Sequence, residues 1–225
     1  MRYHACITRS IIIIYFICTA SAGIAQFKAG SVNWTKDGTG LYEIQDNMLL
    51  RINPLSAQQV TVLATATQLT PREKDKPLTI ADFEISPDEN ILLIFTNTAR
   101  VWRYNTRGDY WILNRGTGQL KQIGKDKPSQ SLMYAKLSPD GKKVGYVSNH
   151  NIYTEDIDSG KMIALTTNGN RQLINGTFDW VYEEEFSFTR AFQWSEDSKK
   201  IAFLRFDESN VKEFTLEYYK DEMYP

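Results

Sequence analysis

Residues 138–147 read Ser138-Pro-Asp-Gly-Lys-Lys-Val-Gly-Tyr-Val147, a tight turn running straight into a short apolar stretch. Proline at the second position pre-sets φ, and Asp and Gly close the turn. The apolar stretch is β-branched and aromatic and has no helical 3.6-residue period, so it reads as a strand. The same pattern occurs as Trp34-Thr-Lys-Asp-Gly-Thr-Gly40, Ser86-Pro-Asp-Glu-Asn90 and Ser195-Glu-Asp-Ser-Lys199, at spacings of about 50–57 residues. The last two also lead into apolar runs, Ile91-Leu-Leu-Ile-Phe95 and Ile201-Ala-Phe-Leu204.

Further strands come later within each unit. The second carries Ala99-Arg-Val-Trp-Arg-Tyr104 and Gly108-Asp-Tyr-Trp-Ile-Leu113. The third carries Asn151-Ile-Tyr-Thr-Glu-Asp156, a turn at Ile157-Asp-Ser-Gly160, and Met162-Ile-Ala-Leu165. About four turn-separated strands per repeat of this length is the pattern of a β-propeller blade. A β-sandwich would show strands every 8–12 residues without the long-period recurrence. The fold class is therefore all-β, with about three to four N-terminal blades of a propeller. Such an arc leaves its last blade's apolar face uncovered. A longer parent protein, from a partial record or a truncated gene product, is the expectation.

Residues 1–25 have a different character. Arg2, His4 and Arg9 precede the apolar run Ser10 to Cys18, and small-x-small sites come next at Ala20-Ser-Ala22 and Gly23-Ile-Ala25. The run falls short of the ~20 residues of a membrane-spanning helix, so it reads as a cleaved secretory signal, with 26–225 as the mature propeller portion. A lipidated Cys18 is disfavoured by the bulky Ile17 before it. We expect an exported protein: periplasmic, cell-surface or secreted. Both cysteines, Cys6 and Cys18, lie in the signal, so the mature part would have no disulfide or thiolate chemistry. A net charge of −1 without a basic stripe argues against nucleic acid as a partner.

One segment departs from strand logic: Asn175-Gly-Thr-Phe-Asp-Trp-Val-Tyr-Glu-Glu-Glu-Phe186. Three successive carboxylates repel one another, and Glu is depleted in strands. Asp179 before the aromatics reads as the N-cap of a short helical turn. That turn would hold Glu183, Glu184 and Glu185 off the propeller, with Trp180, Tyr182 and Phe186 seating it beneath. A plain solvated acidic patch is the competing reading. A calcium site is disfavoured because the usual Asp/Asn/Gly ligand loop is missing. No metal or cofactor is called for.

Asp179-Trp-Val-Tyr-Glu-Glu-Glu185 resembles the glutamate motif of the dipeptidyl peptidase IV family, serine exopeptidases of the prolyl oligopeptidase clan. The likeness extends to Asn175-Gly176, Gln193-Trp-Ser195, Ile201 to Asp207 and Val211 to Tyr219. Upstream, Trp102-Arg103 and the hairpin around Tyr110 to Asn114 resemble that family's arginine-bearing blade. The resemblance implies that Glu184 and Glu185 bind the N-terminal ammonium of a peptide substrate. It implies that Arg103 holds the glutamates and the substrate carbonyl, and that Glu183, Asp179, Trp180 and Tyr182 support them.

The residue types suit that work. An ammonium offers three donors and a positive charge, and paired carboxylates supply acceptors and the opposite charge. A neighbouring guanidinium counters the mutual repulsion of adjacent carboxylates. By the same resemblance, the full-length enzyme releases Xaa-Pro or Xaa-Ala dipeptides with a Ser-Asp-His triad on a following α/β-hydrolase domain, and a homodimer of that enzyme is compatible with it. No Gly-x-Ser-x-Gly elbow occurs in these 225 residues. His150, in Ser148-Asn-His-Asn151, reads as a hairpin tip. No catalytic residue is assigned to this chain, and a non-catalytic peptide- or protein-binding propeller stays open as the alternative.

Overall fold

The computed structural model of the chain describes residues 33–215. The signal-sequence reading of residues 1–25, and both cysteines, lie outside them. The described residues form successive antiparallel units. β1 (Asn33–Trp34), β2 (Leu41–Gln45), β3 (Met48–Asn53) and β4 (Ser56–Ala64) make a four-stranded sheet in chain order. β5 (Asp82–Ile85), β6 (Ile91–Ala99), β7 (Arg107–Asn114) and β8 (Gln119–Ile123) form the second unit. β9 (Leu132–Leu137), β10 (Lys143–Ser148), β11 (Asn151–Asp156) and β12 (Met162–Ala164) form the third. These two join where Arg107 and Gly108 of β7 pair with Met133 and Leu132 of β9. A fourth, sparser unit has β13 (Leu173–Asn175) pairing with β16 (Arg205–Asp207), and β14 (Phe192–Trp194) pairing with β15 (Ile201–Phe203). The architecture is all-β, an arc of propeller blades.

The repeated turn is one hydrogen-bonded device. In each copy a hydroxyl at the first position donates to the Asp two residues on and accepts the N–H five residues on: Thr35 with Asp37 and Gly40, Ser86 with Asp88 and Ile91, Ser138 with Asp140 and Lys143, Ser195 with Asp197 and Lys200. Threonine thus replaces serine in the first copy without loss of the bond. The turns also link neighbouring units. Asp140 N–H donates to Ser198 Oγ at 3.0 Å, and Tyr42 and Arg51 both reach Glu89.

The core explains why the strands read as unbroken apolar runs. Side chains alternate between faces of a strand, and in a propeller both faces are covered. Leu92 and Ile94 of β6, with Trp111 and Leu113 of β7, pack towards Leu49, Leu63 and Leu69 of the first unit. Ile91, Leu93, Tyr110 and Ile112 take the other face and pack with Leu132, Val144 and Tyr146 of the third. Each such buried side chain contributes on the order of 1.5–3 kcal/mol. Val147, Ile152 and Phe192 continue the packing into the fourth unit.

The His150 reading holds: Asn149 and His150, both at positive φ, form the two-residue tip between β10 and β11. The strand expected at Ala99–Tyr104 is corrected. β6 ends at Ala99, and residues 100–106 form a loop closed by Val101 N–H donating to the Tyr104 carbonyl. An alternating, aromatic segment mimics a strand in sequence, but here Val101, Trp102 and Tyr104 are exposed and no neighbour among the described residues completes the ladder.

Candidate functional site

Two excursions from the propeller build the site. The first is the loop 100–106 between β6 and β7, bearing Trp102 and Arg103. The second leaves the fourth unit after β13 and returns before β14. Its base is closed by the Thr177–Arg190 bridge and by Phe178 N–H donating to the Thr189 carbonyl. Between lies one short helix, α1 (Trp180–Phe186).

Local chemistry sets both ends of α1. Asp179 is the N-cap, extended in backbone, and its carboxylate accepts the Tyr182 N–H at 3.0 Å. Ser187 stops the helix in a left-handed conformation, its N–H returning to the Glu183 carbonyl while Phe188 N–H returns to Tyr182. One helical turn fans three consecutive side chains by roughly 100° each, so the glutamates cannot act alike.

Glu183 points inward. It is 9% exposed, and its Oε1 has no hydrogen-bond partner among the described residues. Burial, with the Glu183 charge adding to it, pushes the Tyr134 phenol up to about 12. Glu184 lies across the loop from Arg103, whose Nε donates to Oε2 at 2.6 Å and whose second terminal nitrogen bonds Oε1. Trp102 Nε1 donates to the same Oε2 at 2.9 Å. The Arg103 hydrogen bonds, then that of Trp102, hold the Glu184 carboxyl below the ordinary glutamate range. Arg103 is correspondingly raised, chiefly by its hydrogen bond to Glu184 and then by that residue's charge, with Glu185 adding a smaller pull. Glu185 is exposed, and its carboxylate makes no hydrogen bond among the described residues.

The expectation that the run's aromatics would seat the helix beneath all three carboxylates is corrected. Trp180, Tyr182 and Phe186 are exposed, while Glu183 is the buried member. The aromatics pack instead on one another: Tyr182 on Phe178, Phe186 and Phe206, and Phe186 on Phe188. Trp180 meets Trp102 edge to face at 6.0 Å, so the two excursions touch through rings as well as charges. An open cleft of about 450 Å³ runs between the foot of the arginine loop (Asn105, Thr106) and the segment after the helix (Ser187 to Arg190), floored by Phe95, Tyr110 and Tyr134. Trp102 and Thr106 were not singled out as site residues from sequence. Trp102 carried a signal, standing beside Arg103 in the stretch that resembles the family's arginine-bearing blade, whereas Thr106 carried none.

Residues 86–225 match the model for the dipeptidyl peptidase IV N-terminal region. The chain belongs to that family. Among curated relatives of this dipeptidyl peptidase IV region, dipeptidyl aminopeptidase B of Saccharomyces cerevisiae is 38% identical over 153 residues, covering 66% of this chain and 18% of the relative. Human prolyl endopeptidase FAP is 29% identical over 205 residues, 90% of this chain and 26% of the relative. Among solved structures, dipeptidyl peptidase 4 of Porphyromonas gingivalis superposes with a TM-score of 0.76 at 28% identity, over 92% of this chain and 29% of that one. The chain thus spans about a quarter or less of the length of these curated relatives.

Proposed function

We propose that this region is the substrate-holding part of a serine-type dipeptidyl peptidase, in which Glu184 and Glu185 together receive the free ammonium of a peptide. The observation that carries the reading is the pairing of a fixed carboxylate with a free one. Arg103 and Trp102 pin Glu184, and Glu185 beside it keeps open acceptors facing solvent. Fixing a carboxylate beforehand avoids the cost of ordering it when substrate arrives. Arg103, more than half exposed along its side chain, has remaining donors for a substrate carbonyl.

Holding the amine at one place sets a fixed distance to the nucleophile, which favours release of a dipeptide. An internal peptide segment lacks the ammonium and would leave the carboxylates desolvated without a counter-charge, so rejection is energetic. The nucleophile is assigned to a part of the enzyme outside this sequence. Residues 1–25 are proposed to export the protein.

The test compares Gly-Pro-p-nitroanilide with its N-acetylated form in the full-length protein. Serine-type release from the free-amine substrate, falling by about a hundredfold or more on acetylation, is expected. Equal rates on the two substrates would remove the ammonium anchor. No dipeptide release at all would favour a binding module.

A further inference from the structure

The arginine loop leaves the sheet at a built irregularity. The β6–β7 ladder pairs Thr96 with Asp109 and then Ala99 with Arg107, so Asn97 and Thr98 stand opposite the single residue Gly108. This is a β-bulge, a device that bends a strand and re-aims the segment beyond it. Asn97 adopts a left-handed conformation with φ 47°. Glycine is the only residue type that fits at position 108, because a Cβ there would lie 2.4 Å from the Phe95 ring and 2.7 Å from the Thr96 carbonyl.

Asp109 locks this bulge. It is a buried carboxylate on β7, and it accepts Asn97 Nδ2 at 2.7 Å from the other stem of the loop. It also accepts Gln130 N–H at 2.7 Å and Ser129 Oγ at 3.2 Å from the β8–β9 connection. Gln130 Nε2 closes the ring by donating to Asn97 Oδ1 at 3.1 Å. One carboxylate therefore ties both stems of the arginine loop to each other and to the adjoining blade, with only residues 98–108 between its anchor points. A charged acceptor with three donors is a strong and directional clamp.

We propose that Asp109 is a positioning residue for substrate: by clamping the bulge at Asn97 it holds the loop so that Arg103 and Trp102 meet Glu184. The proposal rests on the reading of Glu184 as part of the amine anchor. Nothing in the clamp touches substrate; it acts through Arg103. Loosening the loop by about 1 Å is enough to cost of the order of tenfold to a hundredfold in rate.

The test uses the full-length protein with Asn97→Gly, Asp109→Asn, Arg103→Ala and the double variant Asn97→Gly/Arg103→Ala. Asn97 is exposed and glycine accepts its positive φ, so Asn97→Gly removes the clamp's amide with little risk to folding. The readouts are kcat/KM on Gly-Pro-p-nitroanilide, and hydrogen–deuterium exchange of peptides covering 100–106. We expect Asn97→Gly and Asp109→Asn to lower kcat/KM by about tenfold and to speed exchange in the loop. On the Arg103→Ala background we expect Asn97→Gly to add little, because its effect passes through Arg103. Undiminished exchange protection of the loop, or a fully additive double variant, would overturn the positioning role while leaving the anchor intact. Arg103→Ala with unchanged kinetics would instead overturn the anchor reading, and the positioning role with it.

Discussion

Arg103 and Glu184, 81 residues apart in sequence and borne by excursions from different blades, form a two-point ion pair in which Nε and a terminal nitrogen of the guanidinium each meet one carboxylate oxygen. The fork geometry matters as much as the charge, since lysine offers a point charge on a flexible stem and cannot present two parallel donors. In the full-length protein we therefore expect Arg103→Ala to lower kcat/KM for a free-amine dipeptide substrate by about ten- to a hundredfold, and Arg103→Lys to recover only part of it. Steady-state kinetics check this; full recovery by lysine would mean that charge alone suffices.

The same pair predicts a pH effect. Hydrogen bonds from Arg103 and Trp102 hold Glu184 below the ordinary glutamate value, so its anionic form persists further into acid and is lost only as pH falls through that lowered pKa. Removing Arg103 returns Glu184 towards the usual range. The acid limb of the kcat/KM profile should then move to higher pH in Arg103→Ala, relative to wild type. A pH–rate series over the acid range reads the shift directly, and an unmoved limb would show that Glu184 does not govern it.

Much of the blade pattern was legible because turns and strands are local. Ser138, Pro139 and Asp140 declare their turn within a few residues, and the Ile91 to Phe95 run declares a strand covered on both faces. Asp179 was legible as an N-cap for the same reason. The loop at 100–106 was not, because what separates it from a strand is the lack of a pairing partner and the bulge at Asn97, both products of tertiary register. Nor could the three glutamates be sorted by orientation from sequence. Their inward, pinned and free states arise from where the helix sits against Tyr134 and Arg103, contacts made by segments distant in the chain.

Glu84 offers a stability test on β5, the last strand of its sheet. Burial raises its pKa above the ordinary value, outweighing the opposing pull of Lys136 and the hydrogen bond from Leu137 N–H. A carboxyl with a raised folded pKa gives stability that is fully present below its unfolded pKa and is lost as pH rises through the folded value. Glu84→Gln keeps the carbonyl acceptor and has no charge to desolvate. The melting temperature of this variant relative to wild type should thus improve as pH rises from about 4, and level off once pH passes the raised folded pKa. A difference that stays constant with pH would show that Glu84 titrates alike in both states.

Gly176 sits just before the excursion that carries the glutamates, where the chain must reverse while packing tightly on the third blade. Its φ is 79°, and a Cβ added there would stand 2.7 Å from Ile152 Cγ1 and 3.0 Å from Val147 Cγ2. Its N–H and carbonyl are both committed, to Leu204 and Ala191, so the backbone cannot swing aside without breaking the fourth unit. Gly176→Ala therefore combines left-handed strain with overpacking of a buried cluster, and should destabilise by about 2–4 kcal/mol. Gly38→Ala is the matched control: φ is 69° but nothing lies within 4 Å, leaving the backbone strain alone at about 1 kcal/mol. Urea unfolding of the two variants in the same protein separates the contributions. Equal losses would mean that the contact between Gly176 and the third blade is looser than the packing of Ile152 and Val147 indicates.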